Sequence, residues 1–228
     1  QQSHRESIAE QLSTQVKLIP EQQDARLRVV YERIRDASRN PRLVAGFMIE
    51  DSEERSGRLY ADLAAELIPV KRQYPDAFFR VFDANDEPLM APEPLRGIDE
   101  KQLMTRLAKL LHGPHAETFD TTAGYLSLEI GKKTRIYETV VHPSIDSFDG
   151  TFFGTFIIGI PVSPNQMLVR PLDALVALNL ENQVFGDEPL KALGNEMREI
   201  VEIEGQRHEI FVRPVPPVSY THLTLPTT

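Results

Sequence analysis

The sequence predicts an α+β fold: a long N-terminal helix, a five-stranded antiparallel sheet with helices packed on it, and a smaller, incomplete copy of that sheet unit. Three observations lead to this prediction. Apolar residues recur at helical spacing over the first third of the chain, and the spacing then changes to the alternation of strands. Phrases that read as strand, turn and strand also occur twice. Two successive modules are therefore expected.

The first predicted element is an amphipathic helix from Ser3 to about Ser38. Pro20 lies inside it and removes one backbone hydrogen bond, so we expect a kink or a restart there. Such a helix would reach about 54 Å at 1.5 Å per residue, which is typical of a connecting element. We assign its arginines, among them Arg26, to a solvated face paired with Glu32 and Asp36. Its apolar face consists of Ile8, Leu12, Val16, Ile19, Leu27, Val30 and Ile34.

Two more helices are predicted before the sheet. The first begins near Pro41, because Asn40 and Pro41 have the residue types of an N-cap and of a first helical position. A longer helix follows from about Ser52 to Tyr74, and we expect Pro69 to bend or end it. Its buried stripe is predicted at Leu59, Leu63, Leu67 and Val70.

The sheet is predicted to begin with FRVFDANDEPLM, residues 79–90. The run 78–83 alternates as a strand, 84–87 forms a turn, and Pro88 makes the returning strand short or places it at an edge. A helix from about Asp99 to His112 then crosses the sheet. Three further strands complete the five-stranded antiparallel unit, at 124–130, 134–142 and 151–162.

A second copy follows this first unit. VALNLENQVFG at 176–186 is a weaker version of the first hairpin, and VEIEGQRHEIFVRPVP at 201–216 repeats LEIGKKTRIYETVVHP at 128–143. We therefore predict a first module at 1–165 and a truncated second one at 166–217. The uncharged stretch VSYTHLTLPTT, 218–228, resembles translated sequencing adapter and is interpreted as a non-native tail.

Composition and the absence of known motifs exclude several classes of function. A net charge of -9 argues against a nucleic-acid partner, and the absence of cysteine excludes disulfides and thiolate chemistry. No motif typical of a serine hydrolase, zinc protease or nucleotide-binding enzyme occurs, so we expect no enzyme, cofactor or metal in this chain. His112 and His115 flank Gly-Pro, and we interpret them as an exposed loop. No run of eighteen apolar residues exists, so we expect any membrane helix to lie outside the given chain.

The order of long helix, FRVFDANDEPL hairpin, helix and three-stranded meander resembles the Cache branch of the PAS-like sensors. In that family the strand phrase is apolar-x-apolar-Asp-x-x-Gly-x-apolar. Asp83 matches the aspartate, whereas Asp86 or Glu87 stands where glycine is usual. The resemblance covers 3–162 and, more loosely, 172–217. It implies a periplasmic or extracellular sensor region of a bacterial receptor in the cell membrane. Membrane helices would flank it, and a missing output domain such as a cyclase or kinase would follow.

This resemblance also implies a small-molecule ligand, an organic anion or an amino acid, between the sheet and its covering elements. Arg80 is the first candidate contact, because it alternates with Phe78 and Phe82 and an arginine on an apolar face requires an anionic partner. That partner is either a ligand carboxylate or a protein carboxylate such as Glu129 or Glu138. Exposure of Arg80 to solvent is the other alternative.

Four further residues complete the predicted ligand-binding set. Tyr125 and Tyr137 come from neighbouring strands and are candidates for the same pocket, with core packing as an equal alternative. Arg135 and His142 are added because we assign them to the strand face of Tyr137. The alternative function is a protein interaction module without a small ligand. We expect a homodimer through the N-terminal helix.

Overall fold

The computed structural model describes residues 2–92, 94–95, 97–111, 120–130, 133–146, 148–163, 177–180, 183–186, 200–203 and 206–209. Side chains are described from residue 21 to 163, and before that only at Glu10, Thr14 and Leu18. The helices are α1 (Gln2–Ser38), α2 (Pro41–Phe47), α3 (Ser52–Glu66), α4 (Ile68–Gln73) and α5 (Glu100–Leu111).

The long helix α1 is present as predicted but continues through Pro20 without the expected restart. One proline removes a single backbone hydrogen bond, and a helix of this length keeps many others on either side. Packing also holds the second half of α1, where the predicted residues Leu27, Val30 and Ile34 are buried. The apolar stripe of that half is therefore confirmed.

Helix boundaries follow from caps. Asn40 caps α2 as predicted, its Oδ1 accepting from the Arg42 amide at 2.9 Å. Asp51 caps α3 by accepting from the amides of Glu53 and Glu54. The single helix predicted from Ser52 to Tyr74 is instead two, because α3 ends at Glu66 and Pro69 lies in the first turn of α4. Proline is favoured at that position because the amides there have no helical acceptor.

The sheet is antiparallel and has four strands in the order β1-β4-β3-β2, namely β1 (Phe78–Asp83), β2 (Thr122–Ile130), β3 (Lys133–Ile145) and β4 (Phe152–Val162). The predicted fifth strand is reduced to one bridge, Phe82 with Pro88. Tyr60 explains the loss, since its hydroxyl accepts from the Val81 amide and donates to the Leu89 carbonyl, both at 3.2 Å. The hydroxyl thus replaces one rung of the ladder, and Pro88 has no amide hydrogen to add another.

Helices cover both faces of this sheet. One face forms a first core with α1 to α4, in which Leu27, Leu59 and Leu63 meet Val81 and Phe156. The other face forms a second core with α5, where Leu103 and Leu107 meet Phe78, Phe82 and Leu126. Successive residues of one strand therefore belong to different cores. Apolar burial on both faces stabilises the unit.

Four short strands are described later in the chain: β5 (Ala177–Leu180), β6 (Gln183–Gly186), β7 (Ile200–Ile203) and β8 (Gln206–Glu209). They form two antiparallel pairs, β5 with β6 and β7 with β8, as the predicted hairpins require. Between these pairs the sequence predicts a helix at 188–199; that segment and the predicted tail at 218–228 lie outside the described residues. The second sheet module therefore stays a prediction.

The chain divides into two compact units. One is built on Arg26–Pro161 and contains the four-stranded sheet, and the other combines Gln1–Ala25 with Val162–Pro217. This division differs from the predicted modules because it assigns the first part of α1 to the later strands. Within the described residues, no helix is long and apolar enough to cross a membrane.

Candidate functional site

The five predicted ligand-binding residues lie on both faces of the sheet. Arg80 and Tyr137 belong to the α5 side, together with Arg135. Tyr125 and His142 belong to the α1 side, where they lie near arginines of that helix. The expectation that Tyr125 and Tyr137 share a pocket is therefore wrong, and so is the assignment of His142 to the strand face of Tyr137. Side chains alternate along a strand, and positions 137 and 142 differ by an odd number.

Arg80 is 3% exposed and lies on the same face as Phe78 and Phe82, as its alternation predicts. Its Nε and Nη2 donate to the two carboxylate oxygens of Glu100 at 2.6 and 2.8 Å. Its Nη1 donates to the Phe79 carbonyl at 2.7 Å. A protein carboxylate therefore satisfies Arg80, although it is neither of the two that the sequence suggested.

Glu100 is the site residue that sequence reasoning missed. It lies in the first turn of α5, a helix that Asp99 caps by accepting from the Lys101 amide at 3.0 Å. A glutamate in a first helical turn is usually explained by the helix dipole alone. Nothing in its spacing indicates that the start of α5 lies against β1. The side chain of Glu100 keeps 36% of its surface exposed.

Helix α5 is bound at two places on opposite edges of the sheet. Glu100 attaches its start to the edge strand β1. One turn and a half later, Arg106 donates to the hydroxyl of Ser127 on the other edge strand, β2, at 3.0 Å, and also to its carbonyl. Leu103, between these two residues, and Leu107, next to Arg106, pack in the second core. The helix therefore spans the sheet with one polar attachment on each side.

Tyr137 is a buried residue of the α5 side, and Arg135 lies two residues before it on the same face of β3. The Tyr137 ring meets Phe78 edge to face with centroids 5.2 Å apart, so packing accounts for its ring. Burial raises the pKa of Tyr137, and a hydrogen bond with Arg135 acts in the opposite direction. Arg135 is exposed and donates to Asp76 at 2.8 Å. Arg135 thus marks the solvent edge of this region.

An ion pair attaches α1 to the other face of the sheet. Arg26 donates through Nε to both Glu138 oxygens, at 2.9 and 3.2 Å, and its Nη2 also contacts Glu138. Glu138 is fully buried, and the Arg26 side chain keeps only 18% of its surface exposed. The assignment of Arg26 to a solvated face with Glu32 and Asp36 is therefore wrong. The predicted apolar stripe of α1 does not reveal the contact with Glu138, because Arg26 lies beside the stripe and is not part of it.

Two tyrosines surround that pair. Tyr125 lies opposite Glu138 in the register of β2 and β3 and hydrogen-bonds to it. The Tyr74 hydroxyl donates to the Arg26 carbonyl at 3.4 Å. Burial raises the pKa of Glu138, and the hydrogen bonds from Arg26 and Tyr125 partly offset that rise. The group is a polar attachment inside an apolar layer, where every member has a partner.

His142 lies further along β3 on the same side as Glu138. Its Nδ1 is 2.6 Å from the Thr121 hydroxyl. Burial, and then the charges of Arg39, which follows α1, and of Arg35 on α1, lower the pKa of His142 to about 4. The imidazole is therefore neutral at neutral pH. No group of three or more His, Asp or Glu residues able to hold a metal ion occurs in the described part of the chain.

The fold is similar to that of the periplasmic domain of Vibrio cholerae LuxQ. One crystal structure of that domain aligns with a TM-score of 0.51 and 15% identity, over 86% of this chain and 95% of that one. A selenomethionine structure of the same domain gives 0.46 and 17%, over 68% of this chain and 66% of that one. No family model and no curated protein matches the sequence. At such identities the likeness concerns the fold.

Proposed function

We propose that this chain is the extracytoplasmic sensor region of a bacterial membrane receptor. It binds a small organic anion or an amino acid and passes a helix displacement to an output domain outside the given chain. The likeness to a periplasmic domain supports the location. The sequence resemblance to Cache sensors supports the same class. The receptor acts as a homodimer through the first half of α1.

The observation that carries the proposal is the pairing of Arg80 with Glu100. A buried guanidinium fork holds the carboxylate of a side chain that is 36% exposed. A ligand carboxylate fits the same fork with the same two hydrogen bonds, because Arg binds any carboxylate in that geometry. Glu100 then occupies in the free protein the place that the ligand takes. Tyr137 and Arg135 lie on the same face of the sheet as Arg80 and are proposed as further ligand contacts.

Exchange of Glu100 for a ligand changes the attachment of α5. The start of α5 is released from β1, while Arg106 still binds Ser127 at the other edge. The helix therefore pivots over the second core. Val81, next to Arg80 on β1, packs in the first core with α1, so a change at β1 reaches α1. Shifts of about 1 to 2 Å in packed helices are a known route of transmission. The ligand must prefer one of the two arrangements.

A thermal-shift screen against organic acids and amino acids tests the proposal. A ligand of the folded chain raises the melting temperature, and the rise grows with the logarithm of the ligand concentration once that exceeds the Kd. Arg80→Gln should abolish the shift, and Arg58→Gln should preserve it because Arg58 is an exposed arginine of α3 that pairs with Asp62. Glu100→Gln should increase the affinity, because it removes the competing carboxylate and leaves Arg80 intact.

Two results would contradict this assignment. An unchanged ligand affinity in Glu100→Gln would exclude competition at Arg80, whatever the stability of Arg80→Gln. A flat response of the native chain to all organic acids and amino acids would favour the protein interaction module.

A further inference from the structure

The residues that follow the turn after β1 lie along its outer edge in the register of an antiparallel fifth strand. β1 is an edge strand of the sheet. The Asp83 amide donates to the Glu87 carbonyl, and the Leu89 amide donates to the Val81 carbonyl, both at 2.9 Å. In an antiparallel pair every second residue bonds to the partner strand, so these two bonds belong to successive rungs of one ladder.

The second of these rungs is only half formed. A complete rung also requires a bond from the Val81 amide to the Leu89 carbonyl. The Tyr60 hydroxyl of α3 takes both groups instead, because it accepts from the amide and donates to the carbonyl, each at 3.2 Å. The donated bond is longer than the usual O–H···O distance of about 2.7 to 2.8 Å. The hydroxyl is therefore inserted into the rung and keeps it open.

The next rung would join Ala91 with Phe79. The Phe79 carbonyl accepts from Arg80 Nη1 at 2.7 Å, and its second lone pair can accept from another donor. Within the described part of the chain, the Ala91 amide donates to no backbone carbonyl. The donor and the acceptor that a longer strand requires are therefore both available.

We propose that residues 88–91 are a latent fifth strand, which pairs with β1 when the Tyr60 hydroxyl withdraws from the rung. This inference goes beyond the proposed function and does not depend on a ligand at Arg80. Tyr60 is only 3% exposed, so withdrawal leaves its hydroxyl without water or a partner. The open rung is therefore the resting arrangement, and the strand forms when α3 moves away from β1.

The latent strand links the two faces of the sheet. Tyr60 belongs to α3 and packs in the first core, whereas Leu95 and Ile98, which follow the latent strand and precede α5, pack against the second core. Insertion of the hydroxyl and closure of the rung exclude each other. A displacement of α3 therefore changes the position of the segment that leads into α5. Two exclusive hydrogen-bonded arrangements are the kind of two-state element that transmission through a packed protein requires.

Amide hydrogen exchange of the full chain, followed by nuclear magnetic resonance, tests the proposal with Tyr60→Phe. This variant keeps the ring, which stacks on Phe79 with centroids 5.7 Å apart, and removes only the hydroxyl. The Val81 amide should exchange as slowly as in the native chain, because the Leu89 carbonyl replaces the hydroxyl as its acceptor. The Ala91 amide should exchange about tenfold more slowly than in the native chain, because the strand extends to it.

Tyr74→Phe is the control, since the Tyr74 hydroxyl donates to the Arg26 carbonyl of α1. It should leave exchange at Val81 and Ala91 unchanged. Faster exchange at Val81 in Tyr60→Phe would mean that the lost hydroxyl is not replaced, and would overturn the proposal. Unchanged exchange at Ala91, or the same response in the control, would overturn it as well.

A second variant tests the strand without removing the buried hydroxyl. Met90 is 83% exposed, and Met90→Val raises the strand propensity of the segment at a position outside both cores. It should slow exchange at Ala91 about two- to fivefold. Met48→Val, at an exposed methionine that follows α2, should leave this exchange unchanged. Equal effects of the two methionine substitutions, or none in Met90→Val, would contradict the latent strand.

Discussion

A single buried carboxylate determines how α1 is held on the sheet. Glu138 has no exposed surface, and its two oxygens are bound mainly by one arginine. Removal of one partner of a buried pair usually costs more than replacement of both, because the remaining charge is left without compensation. Arg26 and Glu138 therefore act as a unit.

We predict that Arg26→Leu lowers the free energy of unfolding by about 3 kcal/mol at neutral pH. The variant should lose more stability as the pH rises, because burial already raises the pKa of Glu138 and the loss of Arg26 raises it further. Urea denaturation at several pH values measures both effects. Adding Glu138→Leu should restore most of the loss. A stability of Arg26→Leu that does not depend on pH would contradict this explanation.

His142 gives the native chain a pH dependence of its own. The unfolded chain binds a proton near pH 6.5 and the folded chain only near pH 4, so stability is complete above the first value and decreases as the pH falls towards the second. The gap corresponds to about 3 kcal/mol. The stability difference between the native chain and His142→Asn, from denaturant unfolding, should shrink as the pH falls through this window. A constant difference would show that His142 does not contribute.

Gly154 is required by its backbone. Its φ is +155°, and a Cβ at this position would lie 2.2 Å from the Phe82 carbonyl oxygen of the paired strand β1. A backbone atom in a sheet cannot move aside, so Gly154→Ala should cost roughly 3 kcal/mol of unfolding free energy. Gly57→Ala on α3 is the control. Its Cβ would meet nothing within 4 Å, and we expect a gain of about 0.5 to 1 kcal/mol. Equal effects at the two glycines would contradict this prediction.

At the scale of elements, the turn after β1 shows an aspartate in a backbone conformation that glycine usually adopts. Asp86 stands where the Cache phrase has glycine, yet its φ is +61°, the left-handed conformation that glycine normally supplies. Aspartate tolerates this conformation better than most residues do. Asp83 completes the turn, because its Oδ1 accepts from the amides of Asn85 and Glu87 at 2.9 and 3.0 Å.

The role of Asp83 is testable by removing only its acceptor oxygen. Asp83→Ala should lower the free energy of unfolding by about 1 kcal/mol, because two turn amides lose their partner. Asp83→Asn retains an acceptor at the same place and should keep most of the stability. Thermal unfolding followed by circular dichroism compares the two. Equal losses in both variants would indicate that the charge, rather than the hydrogen bonds, stabilises the turn.

Local patterns predicted the elements well, since a period or a cap is written in neighbouring residues. The alternation of Arg80 with Phe78 and Phe82 correctly predicted the face of the sheet on which Arg80 lies. Asn40 likewise predicted the start of α2. Contacts between distant residues were not predictable in this way. Nothing local shows that Tyr60 interrupts the fifth strand, or that Glu100 reaches Arg80. The partners of buried polar groups depend on how elements pack, and packing joins residues far apart in sequence.

At the scale of the whole molecule, sequence and fold carry different information. The alignment with the LuxQ periplasmic domain extends over 86% of this chain although only 15% of the residues are identical. Layered helices and an antiparallel sheet can be built from many sequences, provided that the apolar periodicity is kept. Partners and ligands are determined by particular surface and site residues instead. The proposed homodimer must therefore be tested on the residues of this chain.

The first half of α1 offers that test. By spacing, Ile8, Leu12 and Val16 form one apolar stripe, whereas Thr14 is exposed and lies about 200° around the helix from Leu12. We expect the native chain to dimerise in sedimentation equilibrium experiments. Leu12→Asp should weaken the dimer at least tenfold, because a charge in an apolar helix contact is poorly solvated, and Thr14→Asp should leave the association unchanged. A native chain that stays monomeric at high concentration, or equal effects of the two substitutions, would exclude dimerisation through this stripe.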